Sequence, residues 1–206
     1  MAETVATFED CVSVLDTLGC GSISHSRRTL LDHLIGTYRL LSGWGAPQPL
    51  CLAGLFHSVY GTESFHPSAP VRTSRDRIRD TVGEEAEAIV WLFGMKESGS
   101  FRRCLSSFLS SSDNRNDLTL LNRIDLQKMP CLRQQFEYLI NLSFANSVEQ
   151  AQLRPDLITL SKAKSFLRFS PHLLPDAAEC FHQIYGSLLQ TQIQETDSLS
   201  SSGLRA

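Results

Sequence analysis

Apolar residues recur along most of the chain at intervals of three and four, the repeat of a helix with one buried face. Phe8, Cys11, Val12, Leu15 and Leu18 draw the first stripe, which Gly19 and Gly21 end. Leu30, Leu34, Tyr38 and Leu41 draw a second, on a helix expected from about Ser26 to Ser42, with Gly43 and Gly45 to stop it. The segment Leu50 to Tyr60, after Pro47 and Pro49, is apolar nearly all round, which places it inside a domain. Gly61 to Thr73, with Pro67 and Pro70, reads as a long loop. Helices over Ser74–Val82 and Glu84–Phe93 follow, then a weak stretch from Lys96 to Asp117 that includes an exposed loop at Ser110–Asn116. Helical pattern returns over Leu118–Met129 and Leu132–Leu153, punctuated by Pro130 and Pro155, and over Pro175–Gln194. No strand alternation and no internal repeat stands out. The expectation is an all-α fold, a single domain over 1–195 with about seven or eight helices. A Ser-rich tail over 196–206 is expected to be disordered.

Composition narrows the function classes without choosing one. The 206 residues include 19 Lys and Arg against 22 Asp and Glu, and no basic block. That argues against nucleic-acid binding through phosphate neutralisation. No apolar run is long enough to span a membrane. Met1 to Cys11 carries three acids and no Lys or Arg, unlike a secretory leader. The six cysteines form no C-x-x-C pair, so they are expected as buried free thiols in a reducing, cytoplasmic setting.

Chemistry enters with the histidines. His33 lies in Leu31-Asp32-His33-Leu34, and His57 in Leu55-Phe56-His57-Ser58-Val59. An imidazole on so apolar a helix needs a partner, since an unpaired buried polar group costs about 1–3 kcal/mol. The partner is either an ordinary hydrogen-bonding group or a metal ion. Arg72, Arg75, Arg77 and Arg79 read first as a solvated face paired to Asp76 and Asp80, and second as an anion site. Trp44 and Trp91 read as core, and His66 as an exposed loop residue.

The phrases His33-Leu-Ile-Gly-Thr-Tyr-Arg-Leu-Leu, Gly45-Ala-Pro and Leu52-Ala-Gly-Leu-Phe-His-Ser resemble the first two motifs of HD-domain proteins. The closest likeness is to the hydrolase domain of RelA/SpoT-type guanosine tetraphosphate enzymes. There a lone His is followed about 25 residues on by a His-Asp pair; His33 and His57 stand 24 apart. Ile78-Arg-Asp-Thr-Val-Gly-Glu-Glu extends the resemblance, which covers roughly 22–150. His25 to His33 and Phe56 to Thr62 are also similar to a smaller, poorly characterised HD-like group. The resemblance implies an HD-like helical bundle with a divalent transition metal (Fe, Mn or Zn) held by His25, His33 and His57. Asn146 and Glu149 would complete the set. Tyr60 and Glu63 would handle protons, and Arg27, Arg28 and Ser58 would contact substrate.

This chain departs from that pattern at the acids. Ser58 stands where the resembled family has the Asp of His-Asp, and Gly61-Thr62 where it has Glu-Asp. An Asn, either Asn122 or Asn146, stands where it has its last Asp. A neutral hydroxyl or carboxamide is a weaker ligand than a carboxylate. Two functions are therefore expected as alternatives. One is a diverged metal-dependent enzyme acting on a small molecule, a hydrolase by ancestry with oxygenase chemistry possible. The other is a non-catalytic binding or regulatory module that has lost the metal.

Overall fold

The structure is a computed structural model that describes residues 6–25, 27–63, 65, 74–110 and 118–202, with the backbone alone over 191–202. It is all-α. Nine α-helices and two small hairpins are present among the described residues. Helix α1 (Phe8–Thr17) is followed by a two-stranded hairpin, β1 (Ser24–His25) and β2 (Arg28–Thr29). Helix α2 (Leu30–Gly43) begins where its apolar stripe begins, later than the expected start near Ser26. Thr29 and Asp32 form a capping box there, Thr29 Oγ1 accepting from the Asp32 amide at 3.1 Å.

Helix α3 (Gln48–Phe56) is buried at every residue from Leu50 to Phe56, as its all-round apolarity predicts. It packs on α2, on α5 (Glu84–Met95) and on α7 (Arg133–Leu153). Gly54 permits the closest approach, because a Cβ there would stand 2.5 Å from Leu41 Cδ1. Helix α4 (Arg75–Val82) lies on α5, and its arginines are largely absorbed locally. Arg75 pairs with Glu87, Arg79 with Asp76, and Arg77 reaches Thr17.

The second half corrects four expectations. Leu118–Met129 is not a helix but a hairpin, β3 (Leu118–Leu121) paired antiparallel with β4 (Lys128–Cys131). Met129 and Cys131 point inward while Lys128 and Pro130 are exposed, so the period is two there, not 3.6. Helix α6 (Ser98–Ser110) occupies the stretch read as weak; Phe101, Cys104, Leu105 and Phe108 give it an apolar face. Helix α8 (Leu160–Leu167) was not expected at all. Helix α9 (Pro175–Ser202) runs past the expected end near Gln194, so the anticipated domain boundary falls within it. Phe144, Phe166, Phe181 and Tyr185 join α7, α8 and α9 in an aromatic core. His66, Arg72, most of the Gly61–Thr73 loop, residues 111–117 and the end of the tail lie outside the described residues.

Candidate functional site

The three singled-out histidines converge. His33 sits one turn into α2 and His57 caps the C-terminus of α3, both fully buried. Their Nε2 atoms face each other at 3.1 Å. His25 comes from β1, with its ring centroid 4.4 Å from that of His33. Its Nε2 is buried and has no hydrogen-bond partner among the described residues.

The other ring nitrogens explain the orientation. His57 Nδ1 lies 2.8 Å from the Gly54 carbonyl, an acceptor only, so Nδ1 carries the proton and Nε2 presents a lone pair. His33 Nδ1 is in contact with the Glu149 carboxylate, which in turn pairs with Arg28. When Glu149 is ionised beside Arg28, His33 Nδ1 also donates and its Nε2 is a second lone pair; when Glu149 is protonated, it donates to Nδ1 and His33 Nε2 donates to His57. Two lone pairs 3.1 Å apart repel unless a cation, a proton or a metal ion, lies between them. A separation of 3.1 Å falls between the roughly 3.0 and 3.4 Å expected for right-angle and tetrahedral ligands about 2.1 Å from an ion.

Burial makes a proton costly here. It lowers the pKa of His25 and His33 to about 4 and that of His57 well below 6.5. Arg28 lowers His33 further, and the Asn146 side chain opposes as a hydrogen-bond partner. Burial raises Glu149 to about 7 against the pull of Arg28. Among the described residues, no group of three or more His, Cys, Asp or Glu side chains is arranged to hold a metal ion. The facing donors are a pair, with His25 beside them.

A cleft of about 370 Å³ opens beside the pair, lined by His25, His57, Ser58, Glu63, Lys96 and Asn146 among others. Ser58 and Glu63 both line this cleft. Glu63 is already engaged: it accepts from the Ser98 amide at 2.8 Å and from the Ser98 hydroxyl, which hold its carboxyl below the usual range. Of the two asparagines, Asn146 reaches the cleft, while Asn122 shapes the β3–β4 turn by accepting from the Ile124 amide.

Several expected roles are not met by the placements. Glu149 stands behind His33, on Nδ1, and so does not complete a ligand set at Nε2. Tyr60 does not line the cleft; its hydroxyl donates to Glu87 at 3.0 Å. Arg27, at φ 71° in the turn between β1 and β2, reaches the Leu153 carbonyl at 3.4 Å. Arg28 donates to the Glu149 carbonyl at 3.0 Å and borders a different depression, with Asp32, Gly36 and Arg39. Both arginines pin the first hairpin to the end of α7 instead of meeting substrate in the histidine cleft.

Lys96 is the residue sequence reasoning missed. It caps α5, its Nζ donating to the Phe93 carbonyl at 2.8 Å and lying 3.5 Å from the Phe93 ring centroid. Burial lowers it to about 7, with Glu63 opposing. A single Lys after an apolar helix carries no motif, so only the fold reveals it.

Residues 14–97, less than half of the chain, match the model of a domain of unknown function (DUF6817). No curated protein and no solved structure matches the chain. The matched segment holds His25, His33, His57, Ser58, Glu63 and Lys96, whereas Asn146 and Glu149 lie beyond it. No described helix is long and apolar enough to cross a membrane.

Proposed function

We propose that the chain is a diverged HD-like metal-dependent enzyme acting on a small molecule in the histidine cleft. The observation that carries this reading is the pair of Nε2 atoms facing each other at 3.1 Å, that of His57 a lone pair because its Nδ1 donates to Gly54, that of His33 a lone pair when Glu149 is ionised. His33 and His57 would hold a divalent transition metal (Fe, Mn or Zn). His25, whose Nε2 is buried and orphaned, is the third candidate, and the Asn146 carboxamide the fourth. Such an ion supplies a Lewis acid and an acidified bound water. Glu149 orients His33, the Gly54 carbonyl orients His57, and Glu63 and Ser58 flank the substrate space. Hydrolysis follows from the resemblance, with oxygenation the other chemistry open to a site of neutral imidazoles. None of the six cysteines is in a disulfide, which favours a reducing, cytoplasmic setting.

The test is elemental analysis of protein prepared without chelators, repeated on His33→Ala and His57→Ala. Stoichiometric metal in the parent and its loss in both variants is expected. A metal-free parent under both aerobic and anaerobic preparation overturns the reading. A second reading, a binding module with a proton between the imidazoles, is favoured by the neutral Ser58 and Asn146 and predicts that metal-free outcome.

A further inference from the structure

We propose that the cleft takes a small monocarboxylate, whose carboxylate pairs with Lys96 while a neighbouring oxygen faces the His33–His57 pair. This rests on the cleft being the substrate site, and adds the class of substrate.

The charges that line the cleft carry the argument. Apart from its histidines, the charged side chains on its wall among the described residues are Lys96 and Glu63. Glu63 is occupied by the Ser98 amide and hydroxyl and forms no ion pair with Lys96 among the described residues. An ammonium has three donors. One goes to the Phe93 carbonyl, and the ring beneath supplies a cation–π contact; the others meet no protein acceptor among the described residues. A cation set into a wall with unused donors recognises an anion.

The anion is limited in charge and size. One ammonium balances one negative charge; a diphosphate would bring further charges beside Glu63, with no second cation among the described residues of the wall to meet them. Ser58 and Thr62 supply neutral donors instead, and Phe65 and Phe93 give a short carbon frame apolar contact. The volume, about 370 Å³, is near the small end of ligand pockets. Placement matches as well: Phe93 touches both groups, its ring 5.3 Å from that of His57 and 3.5 Å from Lys96 Nζ. A carboxylate on Lys96 therefore leaves its adjacent hydroxyl or carbonyl oxygen on the histidine side.

Calorimetric titration of the full chain with glycolate and with inorganic pyrophosphate tests this, on the parent and on Lys96→Met. Methionine keeps an apolar stem against Phe93 and Phe101, and circular dichroism checks that the variant folds. The expected result is saturable glycolate binding that weakens about tenfold or more in Lys96→Met, as loss of a buried charged hydrogen bond requires. Pyrophosphate is expected to bind more weakly than glycolate. In the parent, the lysine side-chain NMR signal that Lys96→Met removes should move on glycolate addition. No saturable glycolate binding, equal binding by the variant, or tighter binding of pyrophosphate each overturns the proposal. Metal content measured on the same samples separates it from the metal reading. Metal retained without glycolate binding defeats the carboxylate alone, and glycolate binding through Lys96 without metal defeats the metal alone.

Discussion

Two carboxylates are buried among the described residues, each held by an arginine, and they end in opposite conditions. Glu87 on α5 receives Arg75 at both oxygens, at 2.7 and 2.6 Å, and the Tyr60 hydroxyl at 3.0 Å. Arg75 in turn stacks on Trp91. Every partner is a donor whose chemistry ends there, so the cluster ties α4 to α5 and to the segment after His57. Glu149 on α7 receives Arg28 and His33. The imidazole does not end there: its second nitrogen faces His57 Nε2 at 3.1 Å. A saturated buried ion pair acts as structure. One that holds an open donor in place is the arrangement of a ligand and its orienting group.

The largest expected effect separates the two. Arg75→Met leaves Glu87 buried and uncompensated. It should cost about 3 kcal/mol, the low end for such pairs because Arg75 is 40% exposed, and lower Tm by about 6–12 °C. Metal content should not change. Thermal melts and elemental analysis on one preparation read both, and metal lost alongside a native-like melt would erase the distinction.

Glu149→Gln should do the reverse. The carboxamide keeps the shape and an acceptor for His33 Nδ1, so stability falls by about 1–2 kcal/mol. Metal affinity should fall about 10–100-fold, since the group that orients the ligand is weakened. Competition against a chelator measures it; unchanged affinity with a collapsed melt would make Glu149 another Glu87.

A third difference is in pH. His25 and His33 ionise at about 4 in the folded chain and near 6.5 when free, so the unfolded chain binds more protons between those values. Stability therefore falls as pH drops through that window. Glu149, raised to about 7, acts in the opposite sense for one proton, and His57 adds to the loss. The net expectation is a less stable protein at pH 5 than at pH 7, by urea unfolding. His33→Ala should flatten that dependence and Arg75→Met should not. A parent more stable at pH 5 would contradict neutral buried histidines.

The smallest expected effect is that of Tyr60→Phe. It removes one hydrogen bond to Glu87, worth about 1 kcal/mol, and should leave metal and ligand binding unchanged. A large loss of ligand binding would return Tyr60 to the site.

Much of the fold was legible in the chain. The stripes of α1 and α2 and the all-round apolarity of α3 are local patterns, and the Thr29–Asp32 capping box was readable though overlooked. Helix α6 carried its signal in Phe101, Cys104, Leu105 and Phe108, obscured by intervening serines of low helix propensity. The β3–β4 hairpin was misread because leucines at 118, 120 and 121 fit a helical spacing as well as a strand's. Pro130 was the discriminating residue: it is tolerated where a strand has an unpaired edge.

The sequence by itself determined which segments bury themselves and which imidazoles sit on apolar helices, because periodicity and burial are set by neighbours three and four positions away. It did not determine what those imidazoles meet. Glu149 behind His33 is 116 positions distant, and Glu63 reaches Ser98 across 35. Lys96 becomes part of the cleft only because α5 ends beside α3. Side-chain roles at a site depend on which atoms face each other to within an ångström, and only the packing of α2, α3, α5 and α7 decides that.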